Sequence, residues 1–263
     1  MNSAKSTSAI ISVSVVSHGQ IDLIKNLLND INAFYQESSI ELILTLNIEE
    51  NLPFATDNFV FPINVIRNTS PLGFAANHNQ AFSRSTGQFF CVVNPDIRLN
   101  EDPFPALLSS LQDSTVGVVA PLVVSNGGHI EDSARVFPTP FKIICKTFGG
   151  CKGSDYLIKS ESINPDWVGG MFMLFPRGVF NKLNGFNERF FLYYEDVDLC
   201  ARLRLQGYQV VLCPSTKVIH EAQRSSHKSL KYLSWHIASM LRFFCSSVFF
   251  KIIWKKFTRE NAK

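Results

Sequence analysis

Asn94-Pro95-Asp96 is the first of three groups of polar residues whose types and surroundings fit metal-assisted chemistry. It follows the apolar run FFCVV directly. A carboxylate at the end of a buried strand is costly unless it binds something, and a hard cation that bridges it to a diphosphate is a common partner there. A Pro-Asp turn in which Asp96 caps the next segment explains the tripeptide equally well.

The second group is the acidic run Glu195-Asp196-Val197-Asp198, which follows two phenylalanines and two tyrosines. Acids in a first helical turn complement the helix dipole, and Asp198 can pair with Arg202 four residues later. That explanation suffices for Asp198. Beside so many aromatic rings, Glu195 or Asp196 would be partly desolvated and would have the raised pKa that a general base needs.

The third group is His220, which follows the strand-like run Lys217-Val218-Ile219. A lone histidine is more often structural than a metal ligand, unless a second ligand comes from elsewhere in the fold. Asp96 would be that second ligand.

A glycine, two alanines and two amides open a predicted helix in the run Leu72 to Asn79. Small side chains let a diphosphate or a sugar approach the backbone, although helix packing explains them equally well. The chain contains no GxGxxG or GxxxxGK[ST] motif, so the usual dinucleotide and P-loop interpretations lose their main support.

Alternating apolar segments supply the elements that position these groups. Strands are predicted at 10–16, 40–46, 63–67, 89–93, 116–124, 167–175 and 208–213, and helices at about 23–31, 73–85 and 195–206. This order predicts an α/β fold with a mostly parallel, Rossmann-like sheet flanked by helices, whose ligands bind at the carboxyl ends of the strands. Residues 126–165 have weak periodicity and are expected to form long loops.

Composition excludes several classes of protein. The 263 residues carry 25 basic and 22 acidic side chains, a balance too even for a nucleic-acid-binding surface, and no nucleic-acid partner is expected. Six scattered cysteines without a CxxC pair indicate free thiols in a reducing compartment. The apolar stretch at 9–16 alternates with Ser12 and Ser14, which favours a first strand over a signal peptide.

From about residue 228 the chain changes to aromatic residues interleaved with Lys and Arg. Apolar residues recur there every three or four positions, while Arg242 and Lys251 interrupt every window of about 20 residues that could span a membrane. The pattern predicts a catalytic domain at 1–225 and a basic amphipathic tail at 226–263 on the inner face of the membrane. A core-packing helix with a solvated basic end is the alternative.

Taken in order, six motifs resemble the family 2 glycosyltransferases of the GT-A fold, and more narrowly the bacterial rhamnosyltransferases of O-antigen synthesis. The motifs are VVSHG (15–19), GFAANHN (73–79), VVNPD (92–96), WVGG (167–170), GFNERFFLYYEDVDLCARLRLQGY (185–208) and VIH (218–220). The resemblance covers residues 10–245, and the block from 185 to 220 is its most specific part.

The resemblance implies an inverting transferase that uses Mg²⁺ or Mn²⁺. It implies that Asp96 binds the metal, that His220 is a further metal contact, and that Asp196 is the base for the acceptor hydroxyl. Asn94 stands where many relatives have the first Asp of an Asp-x-Asp, and the Asn-Pro-Asp variant points toward rhamnose.

The resemblance also implies which residues contact the two substrates. Many relatives have an Asp after the second strand, whereas this chain has Thr45-Leu46-Asn47. The residues expected to bind the donor are Ser17, His18, Asn47, Gly73, Asn77, Asn79 and Asn94. Those expected to bind the acceptor are Trp167, Gly169, Gly170 and Glu195.

The function implied is transfer of L-rhamnose from dTDP-L-rhamnose to a lipid-linked saccharide at the cytoplasmic face of the membrane. A family 2 transferase with a different nucleotide sugar and a non-catalytic membrane-associated scaffold are the alternatives. A nucleotidyltransferase would show a Gly-rich, basic loop after the first strand, which Ser17-His18-Gly19-Gln20 is not.

Overall fold

The structure is a computed structural model that describes residues 10–35, 39–147, 149–150, 153–221 and 230–260. The strands of its main sheet are β1 (Ile11–Ser17), β2 (Ile40–Leu46), β3 (Ile63–Arg67), β4 (Phe89–Val93), β5 (Ile97–Arg98), β6 (Val116–Ser125), β9 (Phe172–Pro176) and β10 (Gln209–His220). Their spatial order is β3-β2-β1-β4-β9-β6-β10-β5, and only β9 and β5 run antiparallel to their neighbours. The mostly parallel sheet predicted from the sequence is confirmed.

Helices cover both faces of this sheet. They are α1 (Ile21–Phe34), α2 (Phe74–Arg84), α3 (Phe104–Ser110), α4 (Pro140–Thr147), α5 (Arg177–Lys182), α6 (Glu195–Leu205), α7 (Leu230–Phe244) and α8 (Ser247–Glu260). Apolar residues of α1 and α3 pack into one core cluster, and those of α2, α5, α6, α7 and α8 pack into another. Strands β1, β2, β4 and β6 are therefore buried on both sides, which explains their largely apolar sequences, whereas the edge strand β3 is partly exposed.

The serines of β1 are satisfied inside the protein. The Ser12 hydroxyl donates to Glu41 Oε1 (2.5 Å), and the Ser14 hydroxyl lies 2.8 Å from His78 Nδ1. Burial lowers the pKa of His78 to about 3, so its imidazole is neutral. The first strand thus carries polar groups toward the α2 face without leaving them unpaired.

Three regions differ from the sequence prediction. Residues 167–175 form two strands, because Gly169 and Gly170 break the run: β8 (Trp167–Val168) pairs with β7 (Ala134–Arg135) in a small separate sheet, and β9 enters the main sheet. The strand predicted at 208–213 continues to His220 after a register shift. The region 126–165, expected to be loops, contains β7 and α4.

The tail is two helices rather than one. Helices α7 and α8 meet at a bend of 57°. Among the described residues no single helix is long and apolar enough to cross a membrane. The bent pair reaches the length and apolar composition of a membrane span only when its two helices are taken together. One side of the pair packs inward, where Phe243 and Ile252 are buried and the Ser239 hydroxyl donates to the Leu192 carbonyl (2.9 Å). The other side exposes what we call the tail stripe: Leu230, Leu233, Ile237, Leu241, Phe250, Trp254 and Phe257.

Five cysteines lie in the described part of the chain, and Cys91, Cys200, Cys213 and Cys245 are free thiols. Cys91, Cys200 and Cys213 are buried core residues, whereas Cys245 is exposed where α7 meets α8. Cys151 lies outside the described residues. The buried thiols behave as small apolar side chains in the core.

Gly73 offers a test of the packing between α2 and the turn before α6. A Cβ at this position would lie 2.5 Å from the Phe191 carbonyl oxygen and 2.8 Å from its Cα, which are backbone atoms that cannot rotate away. We expect Gly73→Ala to lower the free energy of unfolding by about 1–3 kcal/mol, measured by urea denaturation. Gly178→Ala in α5 is the control, because nothing lies within 4 Å of its Cβ; equal stability of the two variants would contradict the prediction.

Candidate active site

The end of β4, the start of β9 and the end of β10 lie together at the predicted active site. The turn after β4 is held beside the start of β9 by a hydrogen bond from the Asn94 amide to the Met171 carbonyl (2.9 Å). The Glu221 amide, just beyond β10, donates to the backbone carbonyl of Asp96 (2.8 Å). Asp96, His220 and the WVGG motif are therefore neighbours, although they are far apart in sequence.

Asp96 and His220 face each other directly. His220 Nε2 lies 3.2 Å from Asp96 Oδ2, and His220 Nδ1 lies 2.8 Å from Glu131 Oε2. The second oxygen of Asp96, Oδ1, is buried and has no hydrogen-bond partner among the described residues. Although burial opposes protonation, hydrogen bonds and charge from Asp96 and Glu131 raise the pKa of His220 to about 9. The two carboxylates thus create a site that stabilises positive charge.

Sequence reasoning missed Glu131. It lies in the segment expected to be a featureless loop, just after β6. The segment folds back on that strand, since the Glu131 amide donates to the Val123 carbonyl (2.9 Å) and the Ser125 amide donates to the His129 carbonyl (2.9 Å). The hydrophobic pattern of this segment has no periodicity that predicts the fold back onto β6. Only the acidic side chain of Glu131 could have suggested a role in the site.

Asp196 lies in the first turn of α6 and faces the WVGG turn. Its Oδ2 accepts a hydrogen bond from the Gly170 amide (3.0 Å), and its Oδ1 accepts one from the Val197 amide (2.8 Å). Burial raises its pKa, and these two hydrogen bonds and the nearby charge of Arg135 only partly oppose the shift. Asp196 is half-buried as a residue, and the backbone orients its carboxylate.

The two other acids of α6 differ from Asp196. Glu195 is 5% exposed and its Oε2 has no hydrogen-bond partner among the described residues. Burial, followed by the charge of Asp196, raises the pKa of Glu195 well above its usual range. Asp198 is fully buried and pairs with Arg202 (Nε–Oδ2 2.7 Å), which confirms the predicted i, i+4 pair. Asp198 therefore serves the structure of α6.

A tight turn delivers these acids to the site. Tyr193 and Tyr194 both have left-handed backbone conformations, with φ of 69° and 67°. Two consecutive non-glycine residues in this region are strained, and such strain is commonly found at functional sites. The tail holds the turn in place, because Tyr194 packs on Phe243 and His236 with ring centroids 5.7 and 5.5 Å away.

The small β7–β8 sheet adds an arginine that sequence reasoning did not select. The guanidinium of Arg135 lies 5.6 Å from the centroid of the Trp167 ring, and its Nε is 3.0 Å from Asp132 Oδ2. Trp167 is fixed by a hydrogen bond from its Nε1 to the Val136 carbonyl (3.1 Å). Trp167, Gly169, Gly170 and Glu195, the residues expected to bind the acceptor, are thus gathered around Asp196 with Arg135 beside them.

Most of the residues expected to bind the donor form one polar network at the ends of β1 and β2. The Ser17 hydroxyl donates to Glu50 Oε2 (2.9 Å), and Asn47 Nδ2 lies 3.2 Å from His18 Nδ1. Asn68, which sequence reasoning missed, donates to Asn47 Oδ1 (2.9 Å) and also to Asn77 Oδ1 (2.7 Å). This network shapes the strand ends, and within it His18 is exposed.

Two expected donor residues have other neighbours. Asn79 Nδ2 donates to the Phe186 carbonyl (2.8 Å) and to Glu188 Oε1 (2.9 Å), and its Oδ1 accepts from the Phe186 amide (2.9 Å). Its side chain therefore holds the turn before α6 rather than joining the Asn47 network. The space that Gly73 leaves open is filled by the backbone of Phe191.

Comparison with known proteins identifies the class. Residues 12–175 match the sequence profile of glycosyl transferase family 2, and residues 156–228 match that of the N-terminal domain of galactosyltransferase. The first match covers more than half of the chain. The chain belongs to glycosyl transferase family 2, and it is a glycosyltransferase.

Two relatives show which members of the family this chain is similar to. The chain is 28% identical over 243 residues to rhamnosyltransferase WbbL of Escherichia coli (strain K12). This match covers 87% of this chain and 90% of WbbL. It is 30% identical over 145 residues to the N-acetylglucosaminyl-diphospho-decaprenol L-rhamnosyltransferase of Mycobacterium tuberculosis (strain ATCC 25618 / H37Rv). That match covers 51% of this chain and 47% of the mycobacterial enzyme, so the chain spans about half of the length of that relative.

Solved structures share the fold. The mannosyltransferase PcManGT from Pyrobaculum calidifontis, solved with GDP-Man and Mn²⁺, has a TM-score of 0.61 at 18% identity, over 90% of this chain and 65% of that one. GalNAc-T7, solved with UDP, GalNAc and Mn²⁺, has a TM-score of 0.60 at 16% identity, over 83% of this chain and 45% of that one. These likenesses confirm the predicted GT-A fold.

Proposed function

We propose that this glycosyltransferase moves L-rhamnose from dTDP-L-rhamnose to a lipid-linked saccharide, with inversion at the anomeric carbon. The observation that carries the proposal is the juxtaposition of an oriented, half-buried Asp196 with the Asp96–His220 pair at one edge of the sheet. The similarity to two enzymes named as rhamnosyltransferases supports the choice of sugar. The name of the mycobacterial relative, with its diphospho-decaprenol, supports a lipid-linked acceptor.

Asp196 is the base in this mechanism. The amides of Gly170 and Val197 each donate to one of its oxygens, so the carboxylate has a fixed orientation. In its ionised form it accepts the proton of the acceptor hydroxyl as that oxygen attacks the anomeric carbon from the face opposite the departing diphosphate. The raised pKa brings the carboxylate nearer to the working pH, which strengthens it as a base.

Asp96 and His220 fit a divalent cation, Mg²⁺ or Mn²⁺. Asp96 offers a buried oxygen, Oδ1, that lacks a hydrogen-bond partner among the described residues, and His220 Nε2 points to the same carboxylate. The described residues form no cluster of three His, Cys, Asp or Glu side chains arranged as a metal site, so the phosphates of the donor would have to supply further ligands. When bound, the ion supplies charge neutralisation for the departing nucleoside diphosphate.

Glu131 orients His220 in this scheme. A ligating histidine usually donates its other ring N–H to a carboxylate, and Glu131 Oε2 is placed to accept from His220 Nδ1 (2.8 Å). We expect Glu131→Ala to weaken Mn²⁺ binding by about 10–100-fold, measured by electron paramagnetic resonance of free Mn²⁺. Glu131→Gln keeps an acceptor oxygen and should recover part of the affinity.

Glu101→Ala is the control for Glu131. Glu101 also binds β10, where its Oε1 accepts from the Thr216 hydroxyl (3.0 Å) and the Lys217 amide (2.9 Å) without contacting His220. Its loss should leave the Mn²⁺ affinity within about twofold of the parent value. Unchanged affinity in Glu131→Ala would remove Glu131 from the site.

The tail brings the site to the membrane that carries the acceptor. The tail stripe exposes seven large apolar side chains, and Lys231, Arg242, Lys251, Lys255 and Lys256 lie on the same two helices. An apolar stripe with basic residues suits the surface of an anionic leaflet, and this supports a position on the inner face of the cell membrane. The inward side of the pair packs on the turn that leads to Asp196, which joins membrane contact to the active site.

A donor screen tests the function. Purified full-length protein is combined with a lipid-linked N-acetylglucosamine acceptor, Mg²⁺ or Mn²⁺, and a panel of nucleotide sugars, and release of nucleoside diphosphate is measured. Release with dTDP-L-rhamnose alone is the expected result. Turnover of a different nucleotide sugar would overturn the rhamnose assignment, and no turnover with any donor would favour a non-catalytic scaffold.

A further inference from the structure

A groove of about 380 Å³ lies between the turn before α6 and helix α7. None of the active-site residues described above lines it. Arg189 and Arg242 line its walls and bring two positive charges to it, and Phe190 and Leu241 supply apolar surface. Ligand sites in proteins commonly enclose about 300–1,000 Å³, so this groove, here called the arginine groove, is large enough for a small ligand group.

No carboxylate of the described residues balances the charge of the arginine groove. Neither Arg189 nor Arg242 forms an ion pair with a carboxylate of a described residue. The adjacent acid, Glu188, is hydrogen-bonded to Asn79 Nδ2 (2.9 Å) and does not line the groove. Arg242 donates from Nη1 to the backbone carbonyl of Arg189, so one guanidinium is anchored to the opposite wall. Residues 230–259 contain no Asp or Glu, so the two tail helices add only positive charge up to Glu260 at the end of α8.

The groove opens beside the tail stripe. Leu241 belongs to both, and Leu233 and Ile237 continue the stripe along α7. A ligand that satisfies both surfaces has a phosphate for the two guanidinium groups and hydrocarbon for the stripe. An anionic phospholipid at the surface of a bilayer has this combination of groups.

We propose that the arginine groove binds the phosphate of an anionic membrane phospholipid while the tail stripe contacts its acyl chains. The inference rests on the membrane contact proposed above and adds to it a defined headgroup site. It gives the tail a preference for anionic over zwitterionic lipid that an apolar stripe alone would not have. It also fixes how the turn before α6 faces the bilayer.

Charge reversal at Arg189 tests the site, because this exposed side chain donates no hydrogen bond to a described residue, so the substitution should leave the fold intact. In co-sedimentation with phosphatidylglycerol vesicles, Arg189→Glu should bind about tenfold or more weakly than the parent chain. Arg84→Glu is the control, because it makes the same change in net charge at a different place, the C-terminal end of α2. The residues that follow Arg84 contact Ser12 and Glu41 at the starts of β1 and β2. This variant should bind the vesicles within about twofold of the parent chain. Equal losses in the two variants would mean that net charge alone is involved and would overturn the groove.

A second measurement separates this site from the membrane contact itself. Calorimetry with monomeric dihexanoyl phosphatidylglycerol should detect binding that Arg189→Glu abolishes, whereas dihexanoyl phosphatidylcholine should not bind. Binding of this lipid without any vesicle binding would sink the membrane contact and leave the groove standing. Three results would overturn the proposed lipid site: no binding of dihexanoyl phosphatidylglycerol, equally strong binding of inorganic phosphate, or a preference for a short prenyl diphosphate. Leu233→Ser with Trp254→Ser removes apolar side chains from the tail stripe and should reduce vesicle binding. Both this stripe variant and Arg189→Glu should still transfer sugar to a water-soluble acceptor.

Discussion

Replacing Asp196 with asparagine is expected to lower turnover by about a hundredfold or more while donor binding is retained. The amide cannot accept the proton of the acceptor hydroxyl, so the step that Asp196 assists loses its base. The side chain has the same shape, and at least one of the hydrogen bonds from Gly170 and Val197 can persist. Turnover with saturating donor and acceptor, together with calorimetry of nucleotide binding, separates loss of chemistry from loss of binding.

Glu195→Gln is the matched control, because it neutralises the adjacent carboxyl on the same helical turn. Glu195 is buried, and burial raises its pKa well above its usual range, which favours the neutral form that Gln imitates, so turnover should change much less. In the parent enzyme, turnover should fall on acidification through a pKa above the ordinary value for Asp, about 3.9, because only ionised Asp196 is a base. Near-normal turnover in Asp196→Asn would move the role to Glu195 or Asp198.

Asp96→Ala is expected to abolish the metal-dependent part of nucleotide binding. Asp96 supplies the buried oxygen without a hydrogen-bond partner and faces His220, so its loss removes the carboxylate from the site. Removal of outer residues that only orient a metal ligand costs about 10–100-fold in affinity, so loss of a ligand itself should cost at least about a hundredfold. Calorimetry of dTDP binding with Mn²⁺ and with a chelator measures the difference.

Asp113→Ala controls for the loss of a carboxylate. Asp113 is exposed at the opposite end of β6, and its side chain accepts hydrogen bonds from Thr115. Nucleotide binding in this variant should depend on metal as in the parent chain. Donor binding that is indifferent to both the chelator and Asp96→Ala would sink the metal assignment.

Strands β1, β2 and β4 were predictable from the sequence because they lie in the interior of a mostly parallel sheet and their apolar runs are buried. Strand β3 lies at the edge of the sheet and is only partly buried. The observed bounds of β2, β3 and β4 equal the predicted ones. The run at 167–175 was mispredicted because local hydrophobicity does not reveal that two glycines send its halves into different sheets. The bend between α7 and α8 was missed for a similar reason, since the apolar spacing continues through it.

The predicted site was incomplete because several of its contacts come from segments without periodic sequence. Asp96, Asp196 and His220 stand next to strands or helices that the sequence marks clearly. Glu131 and Arg135 lie between β6 and β8, where neither spacing nor composition indicates which side chains turn inward. The polar residues at 73–79 were visible as a motif, but their partners, Asn68 and the turn at 186–188, are fixed only by the tertiary structure.

The two sides of α7 also set different limits on how this helix can diverge. Phe243 is fully buried against Tyr194, so a change in its volume disturbs the strained turn that presents Asp196. Leu233 and Ile237 are exposed, and there one apolar residue can replace another without a packing defect. Among descendants of this sequence, drift should therefore accumulate on the outward side with its hydrophobicity kept, while the inward side stays nearly fixed. An alignment of close homologues would show one helix evolving at two rates, with a period of three to four residues.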